Sequence, residues 1–472
     1  MPVKREKLDV PKVLVVQPPA AAPPAAEAPE PVQVPAKVPR KKRGIQGKIR
    51  DIWDSLKGKK VTTKPVPVKR EKPAAPKPAK KEEPAADEPR VMTHRIIFSG
   101  NSIFDGETLN GVVGASMGQY FSLAELRALA EQVAQHYHDQ GYFLTRVAIP
   151  QQDVKDGTVT FSVLEGRLGD LTVSGSKRYR EKYIRRVFSV VKAGEPIRKQ
   201  DLERALLTLN NSSGIEAKSV LQAGKTVGST DLIIRVAEQS MAESSVSVNN
   251  FGSRSTGRYR ITPWVTFPNL SGRGDEISMS AISAPDTSDL LYGNLTYMTP
   301  IDGKGRQIKA YVSGGRYEVG KEFDVLDIKG DGFSYGIGVT HPQVLSRSKS
   351  LTYDLWYEFK DSEHEMLGQT SSKDKISKVR LGASLDQKDR KGRSFVNFNV
   401  HQGLGDSLNG MPDKSTLSSR SFALADNRFT KYSLDFTRVE GVNPHIFHIA
   451  RFSGQYSTKS LVSGEQRAIG GA

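Results

Sequence analysis

The sequence has 472 residues, about three times the ~150 residues of a typical domain, so it is long enough for several domains. It carries 69 Lys and Arg against 52 Asp and Glu, a net charge of +17, yet residues 1–91 alone hold 22 of the basic and 11 of the acidic residues. The excess of positive charge therefore belongs mainly to one end of the chain, which argues against a nucleic-acid-binding surface on the rest. The sequence contains no cysteine, which excludes disulfides, thiolate metal sites and a cysteine nucleophile.

The hydrophobic residues are dispersed. No stretch approaches the 18–20 consecutive apolar residues of a transmembrane helix, whereas the ~10-residue strands of a membrane barrel, apolar on one face only, remain compatible with the composition. At the N-terminus, Val13–Val16 is too short for the apolar region of a signal peptide, so none is expected there.

Residues 1–91 hold 17 of the 26 prolines and alternate Pro/Ala-rich with Lys-rich stretches. They lack the apolar density for a core, so we expect a disordered extension. One island, residues 44–59, places apolar residues on one helical face: Ile45, Ile49, Ile52, Trp53 and Leu56. It predicts a short amphipathic helix, either one that docks on a membrane or in a pore, or a transient helix in a linker.

A globular pattern begins near Arg95. A strand at 95–98 is followed by two helices; the second begins at Ser122 with Glu125 in the capping-box position and ends at Gly141. Strands at 143–149 and 158–164 complete the unit. The same order recurs, with strands at 171–173, 214–222 and 231–237 and helices at 179–190 and 198–210. The repeat predicts two tandem α+β domains, 92–168 and 169–239, each with helices covering one face of a three-stranded sheet.

After Ser240 the apolar period changes to two. Residues such as Leu351, Tyr353 and Leu355 alternate with polar ones, and about eleven strands of ~9–12 residues are predicted over 240–472. A soluble β-sandwich also alternates in this way. Long consecutive strands, alternating short and long connections, aromatic residues near strand ends and charges on the second face favour an antiparallel transmembrane β-barrel.

At this point the sequence resembles a known family, the outer-membrane transporters of two-partner secretion of the haemolysin-activator and filamentous-haemagglutinin-transporter type. In the first repeat, which resembles the first periplasmic POTRA domain of that family, the matching segments are 98–101, 123–126, 141–144, 148–153 and 163–166. The second repeat resembles the second POTRA domain more loosely, and 249–257 with 272–275 resemble the first two barrel strands. The matching motif residues are Gly100, Asn101, Gly141, Tyr142, Pro150, Gln151, Gln152, Asp153, Gly157, Glu165, Gly166, Asn250, Gly252, Gly257, Gly274 and Asp275. We expect them mainly to maintain the fold.

The resemblance implies a fold of tandem α+β POTRA domains followed by an antiparallel transmembrane β-barrel in the outer membrane of a Gram-negative bacterium. It implies POTRA domains in the periplasm, a secreted exoprotein with an N-terminal secretion domain as partner, contact with outer-membrane lipid, and a monomeric barrel. No catalytic residue, cofactor, metal or nucleic-acid partner is expected. A barrel-assembly insertase, a non-transporting surface barrel and, more distantly, an outer-membrane lipase are the alternatives.

The C-terminal residues 464–472 resemble the run just before the family's V-R-G-[FY] loop motif. About eleven strands is an odd count, whereas the barrels of the family have about sixteen and bacterial single-chain barrels have even numbers. From the sequence we therefore expect a C-terminally truncated chain that lacks the loop motif and about five strands.

Overall fold

The computed structural model describes residues 90–467, except 115–117, 155, 286–289 and 444–445. The expected extension up to residue 89, with its helix at 44–59, lies outside the described residues. No helix in the described part of the chain is both long and apolar enough to cross a membrane.

The first α+β unit contains strands β1 (Val91–Thr93), β2 (Arg95–Ser99), β3 (Gln119–Phe121), β4 (Arg146–Ala148) and β5 (Thr158–Leu164), with helices α1 (Gly106–Val113) and α2 (Leu123–Asp139). β5 is the central strand of a three-stranded sheet, parallel to β2 and antiparallel to β4. The predicted capping box is confirmed: the Glu125 backbone N–H donates to Ser122 Oγ at 3.2 Å, and the Ser122 backbone N–H donates to Glu125 Oε2 at 2.8 Å.

The core of this unit lies between its helices and one face of the sheet. The apolar residues of α2 at helical spacing, among them Leu126, Val133 and Tyr137, pack on alternate residues of β5, Val159, Phe161 and Val163. Residues about 3.6 positions apart share one face of the helix, and every second residue shares one face of the strand. These two spacings place the apolar side chains of α2 opposite those of β5.

The second unit repeats the arrangement. It contains β6 (Arg167–Ser174), α3 (Glu181–Val187) with a 3₁₀ turn (Phe188–Val190), α4 (Lys199–Asn210), β7 (Ile215–Ala223) and β8 (Ser229–Glu238). Its sheet has the order β6-β8-β7, with β6 parallel and β7 antiparallel to β8. A separate core joins both helices to this sheet, and Phe143 and Leu144 of the first unit pack against that core.

The remaining described strands form one eleven-stranded antiparallel sheet in which each strand pairs with its neighbours in sequence. The strands are β9 (Glu243–Asn249), β10 (Arg260–Pro268), β11 (Glu276–Ala284), β12 (Leu290–Pro300), β13 (Gln307–Val319), β14 (Ile328–Leu345), β15 (Lys349–Met366), β16 (Gln369–Lys388), β17 (Gly392–Gly403), β18 (Thr430–Gly441) and β19 (Phe447–Ser457). Within the described residues the sheet is open, with β9 and β19 at its two edges. The predicted eleven-strand antiparallel meander is confirmed.

The two faces of this sheet differ in chemistry. On the face that we call the outer face, large apolar side chains are exposed, including Leu295, Ile337, Leu355 and Leu381, each 41–56% exposed. Their neighbours in sequence lie on the inner face, which carries charged residues and contacts the segment 461–467. Apolar side chains exposed around a charged inner face are the arrangement of a membrane barrel, not of a sandwich with a dry core.

Several element boundaries differ from those predicted. β1 was not predicted; it begins at Val91, inside the predicted extension, and pairs with β3. The strand predicted at 143–149 is reduced to β4, because residues 142–145 form a turn closed by a Thr145 N–H to Tyr142 carbonyl hydrogen bond of 3.1 Å. The helix predicted from 179 starts at 181, because the backbone N–H of Tyr179 donates to the Glu238 carboxylate at 2.9 Å instead.

Strand lengths in the large sheet were also underestimated. β14 and β15 have 18 residues and β16 has 20, well beyond the ~9–12 expected. Their outer face is apolar over only part of this length. The rest of that face carries charged residues, so the alternation of apolar and polar residues from which the strands were predicted is lost there. The free edge of β16 beyond β17 is covered by the connection 404–429, since the Leu404 N–H donates to the Ser377 carbonyl at 2.9 Å and the Met411 N–H to the Lys375 carbonyl at 2.8 Å.

Candidate functional site

The motif residue with most contacts is Glu165, which follows β5. Its carboxylate accepts hydrogen bonds from the backbone N–H groups of Ser102 at 2.5 Å and Ile103 at 2.9 Å, from the Ser102 hydroxyl, and from Tyr137 OH at 3.3 Å. Arg167 lies 2.9 Å from the same carboxylate. Burial raises the pKa of Glu165, but these hydrogen bonds and the charge of Arg167 outweigh burial, so its pKa lies below the ordinary value. Burial and the nearby Glu165 charge raise the pKa of Tyr137.

Glu238 plays the same part in the second unit. It lies at the end of β8 and accepts from the backbone N–H groups of Lys177, Arg178 and Tyr179 at 2.8–2.9 Å. In both repeats a carboxylate at the end of the central strand therefore binds the loop that follows the parallel edge strand. In the sequence, both carboxylates stand in the same pattern, a valine, one residue and a glutamate: Val163-Leu-Glu165 and Val236-Ala-Glu238. The prediction used this pattern only for the first repeat.

The other motif residues of the first unit shape its turns. Gly100 has φ +84°, and a Cβ there would lie 2.5 Å from the Val163 carbonyl oxygen, so a side chain is excluded. Asn101 Nδ2 donates to the Phe104 carbonyl at 2.8 Å, and the Gly157 carbonyl accepts from His94 N–H at 2.7 Å. Gln152 binds both backbone groups of Thr160, whereas Pro150, Gln151 and Asp153 are exposed.

Three further motif residues lie where the two units meet. The Gly141 carbonyl accepts from Lys199 N–H at 2.9 Å, and the Gly166 carbonyl accepts from Ile197 N–H at 3.2 Å. The Arg198 guanidinium carbon lies 5.6 Å from the centre of the Tyr142 ring, within cation–π range. The structure thus brings Gly141, Tyr142 and Gly166 together at the junction.

The motif residues of the large sheet fall into two groups. Asn250, Gly252 and Gly257 lie in the β9–β10 connection, where the Gly252 N–H donates to the Arg258 carbonyl at 3.1 Å. Gly274 and Asp275 lie in the β10–β11 turn, where buried Asp275 accepts from the backbone N–H and hydroxyl of Ser271. The two groups lie at opposite ends of β10 and do not form one site.

The second unit contacts three turns at one end of the sheet. In the first, the Arg180 N–H donates to the Gly272 carbonyl at 2.9 Å. In the second, the guanidinium of Arg204 on α4 donates to the carbonyl of Lys304 at 3.4 Å, and it also donates to the carbonyls of Pro342 at 2.6 Å and Gln343 at 3.0 Å near the end of β14, beside the third turn. Glu203, also on α4, accepts from the Arg347 N–H at 3.0 Å. Helix α4 is therefore attached to the turns that join β12 to β13 and β14 to β15.

The inner face of the sheet holds a charged cluster that the motif residues did not reveal. Glu465 is 4% exposed; its carboxylate accepts from Lys378 at 2.5 Å and also from Lys431. Arg380 lies 2.9 Å from Asp354 and 3.3 Å from Glu358. We call Asp354, Glu358, Lys378, Arg380, Lys431 and Glu465 the inner charge cluster. The sequence predicted charges on the second face of the sheet, but not the return of Glu465 onto that face.

The segment 461–467 is held on the inner face by apolar contacts as well. Leu461 and Val462 are buried against Ile376, Ala425 and Phe429. In the described residues, no group of three or more His, Asp or Glu side chains is arranged to hold a metal ion.

Comparison with known proteins agrees with this architecture. A family model described as "Haemolysin secretion/activation protein ShlB/FhaC/HecB" matches residues 228–472, about half of the chain, and "POTRA domain, ShlB-type" matches residues 91–166. The chain belongs to the ShlB/FhaC/HecB family. The predicted family and fold are confirmed, and this is an outer-membrane protein whose POTRA domains lie in the periplasm.

Among curated relatives, the "Heme/hemopexin transporter protein HuxB" of Haemophilus influenzae (strain 86-028NP) is 26% identical over 357 residues, covering 75% of this chain and 63% of that protein. The "Outer membrane transporter CdiB" of Dickeya dadantii (strain 3937) is 22% identical over 401 residues, covering 81% and 68%. This chain thus spans somewhat less than two thirds of the HuxB length. Among solved structures, CdiB from Escherichia coli superposes with a TM-score of 0.70 at 18% identity, covering 90% of this chain and 76% of the other, which shows a shared fold.

Proposed function

We propose that this protein transports a large secreted polypeptide across the outer membrane, binding it through the periplasmic POTRA domains and conducting it along the inner face of the barrel. Three relatives carry printed names of transporters: HuxB of heme/hemopexin, ShlB of hemolysin and the outer membrane transporter CdiB. We further propose that the partner has an N-terminal secretion domain, that the barrel acts as a monomer, and that neither catalysis nor a cofactor is involved.

The observation that carries this proposal is the polar inner face beside an apolar outer face. Charged side chains of β15, β16 and β18 lie on one side, where they form ion pairs with one another and with Glu465. An unfolded chain presents backbone groups and mixed side chains, which such a surface can contact without burying them in an apolar pocket.

The POTRA sheets offer edges for capture of an extended chain. In each described sheet the central strand is fully paired, while the outer strands β2 and β4 in the first unit and β6 and β7 in the second have one partner strand each. β7 is the longest of the four, with nine residues. Strand addition at such an edge binds the backbone of a peptide with little dependence on its side chains. In this proposal the motif residues keep the edges in place, because they shape the turns and the junction described above.

The test is co-expression with a candidate large exoprotein that carries an N-terminal secretion domain, followed by measurement of that exoprotein in the medium. We expect release only when the transporter is present, and conductance steps when the purified transporter is added to a planar bilayer. Release that is equally efficient without the transporter, or a bilayer that remains non-conducting, contradicts the proposal. A POTRA-deleted protein that conducts but does not secrete would assign capture to the POTRA domains.

A further inference from the structure

The inner face of the large sheet is divided into two parts of different chemistry. Direct cross-strand partners share a face, so the inner face can be followed from strand to strand through the register. From Glu358 of the inner charge cluster, the row of partners on β14 to β10 is Gly336, Tyr311, Thr296, Ser278 and Thr266. The charges of β15–β18 therefore give way to hydroxyl groups, a glycine and an aromatic ring along the same face.

We call the inner positions of β10–β14 the uncharged wall and those of β15–β18 the charged wall. Among the inner positions of β10–β14, all of which the structure describes, only Arg260, Glu276 and Lys309 are charged, and each lies within three residues of a strand end. The positions between the strand ends carry neutral side chains such as Trp264, Ser280, Asn294, Ser313 and Ser334. The contrast with the charged wall is therefore greatest at the middle of the strands.

The polar groups of the uncharged wall bind one another. Two pairs of hydroxyl oxygens on neighbouring strands lie 2.7 Å apart, Thr266 with Ser278 and Ser313 with Ser334. A Cβ at Gly336 would lie 2.5 Å from the ring of Tyr311, so this ring occupies the space above the glycine and lies against the wall. The uncharged wall thus presents short or flat-lying groups without fixed charge.

The charged wall is in contact with another part of the same chain. Glu465 accepts from Lys378 at 2.5 Å and also from Lys431, and Arg467 lies 2.5 Å from Asp435. The segment 461–467 therefore lies across β16 and β18, and its charges are paired with those of the wall. A passing polypeptide would have to compete with these ion pairs on the charged wall.

The POTRA contacts lie at the periplasmic ends of the uncharged wall. Arg180 donates to Gly272 between β10 and β11, and Arg204 donates to Lys304 between β12 and β13 and to Pro342 near the end of β14. A polypeptide that leaves the second unit therefore meets the strands of the uncharged wall first.

We propose that the secreted polypeptide moves along the uncharged wall and not along the charged wall. This inference rests on the proposed function and names the part of the inner face that contacts the moving chain. An unfolded polypeptide carries charges of both signs, and charge-assisted hydrogen bonds are roughly twice as strong as neutral ones. Fixed charges would therefore hold some of its side chains and repel others, whereas neutral hydroxyl and amide groups form weak bonds that exchange readily with water.

The test locates a polypeptide stalled inside the full-length protein. The probe is a candidate exoprotein with an N-terminal secretion domain, fused at its C-terminus to a disulfide-bonded domain too large to pass the barrel. Because the chain has no cysteine, single cysteines provide unique attachment points for a benzophenone photo-crosslinker. Ser280→Cys and Asn294→Cys place it on the uncharged wall, and Ser433→Cys and Asn397→Cys are the matched positions on the charged wall.

We expect the crosslinking yield per labelled protein to be about tenfold higher from the uncharged wall, a preference equivalent to ~1.4 kcal/mol. Equal yields from the two walls, or a higher yield from the charged wall, would overturn the inference and leave the proposed function standing, since the polypeptide would still be inside the barrel. No crosslink from any position, together with no release of the unfused exoprotein, would contradict the proposed function and this inference with it.

A second measurement uses charge in place of the crosslinker. Ser280→Asp should slow release of the unfused exoprotein at least about threefold, because a charge on the path strengthens its hydrogen bonds to the passing chain. Ser433→Asp, on the charged wall, should leave the rate of release unchanged. Conductance of both variants in a planar bilayer shows that the barrel is intact. Equal slowing by the two substitutions, or no slowing by Ser280→Asp in a conducting barrel, would also overturn the inference.

Discussion

At the residue scale, the two carboxylates that follow the central POTRA strands are structural centres of their domains. Glu165 and Glu238 each bind two or more backbone N–H groups of a loop about sixty residues away. Such donors lose their partner when the carboxylate is removed, and an unsatisfied buried donor costs ~1–3 kcal/mol. A single side chain therefore determines whether the loop after the parallel edge strand remains attached.

Glu165→Gln should lower the free energy of unfolding of the POTRA pair by about 1–3 kcal/mol at pH 7. Because the folded pKa of Glu165 lies below its unfolded value of ~4.3, the ionised carboxylate contributes stability that is complete above about pH 5 and is lost as the pH falls through the folded pKa. The difference between the two proteins in urea unfolding should therefore shrink below about pH 4. Glu181→Gln, at a carboxylate 55% exposed, is the control and should change stability by less than about 0.5 kcal/mol. A pH-independent difference would show that the charge of Glu165 is irrelevant.

The second prediction at this scale concerns Glu465. Its side chain is 2% exposed and faces Lys378 and Lys431. Glu465→Gln leaves Lys378 with Glu358 alone and leaves the nearly buried Lys431 without its counter-charge, a change that typically costs ~3–5 kcal/mol. We expect the segment 461–467 to leave the inner face more often. Since the chain has no cysteine, Val462→Cys provides a unique probe at a fully buried position, and its maleimide labelling should accelerate at least about tenfold in the Glu465→Gln background.

Arg467→Gln is the matched control for that experiment. Arg467 pairs with Asp435 at 2.5 Å, but both side chains are 37–38% exposed, so the pair contributes little. Labelling of Val462→Cys should remain within about twofold in this background. Equal acceleration by both substitutions would mean that burial of the Glu465 ion pairs does not hold the segment.

At the element scale, α4 connects the POTRA domain to the barrel turns. Its apolar residues, including Leu202 and Leu209, pack into the domain core, while Glu203 and Arg204 reach the turns. Arg204→Ala removes donors to three carbonyls, so amide hydrogen exchange in residues 343–348 should rise about tenfold, as expected for ~1.5 kcal/mol. Gln200→Ala, at an exposed position on the same helix, should leave that exchange unchanged. No change in Arg204→Ala would show that other contacts suffice to attach the turns.

Sequence periodicity predicted these elements because it is a local property. The capping box at Ser122, the strand at 158–164 and the eleven alternating strands all depend on residues a few positions apart. The inner charge cluster depends on tertiary contacts. Glu465 is 87 positions from Lys378 and 34 positions from Lys431 in the sequence, and no local sequence pattern predicts that these residues come into contact. β1 was missed because three residues are too few to show a period, and its register with β3 is set by the fold around it.

At the scale of the whole molecule, the POTRA pair has its own cores and one shared junction. The two clusters of buried side chains are separate, yet Phe143 and Leu144 of the first unit pack on the core of the second. Arg167, the first residue of β6, also lies 2.9 Å from the Glu165 carboxylate of the first unit. The pair should therefore behave as one cooperative body, even without the barrel.

The last prediction is that residues 90–240 fold alone as a soluble protein with a single unfolding transition. Leu144→Ala should lower stability by about 2 kcal/mol, because it removes a partly buried apolar side chain from the junction. Hydrogen exchange should then rise in β7 and β8 as well as in the first unit, since the side chain packs against the core that contains them. Leu123→Ala, at a side chain 48% exposed on α2, is the control and should leave exchange in the second unit unchanged. Two separate transitions in the unsubstituted protein, or a Leu144→Ala effect confined to the first unit, would show that the junction does not couple the domains. In that case the path of the secreted chain would have to be explained with two POTRA domains that move independently.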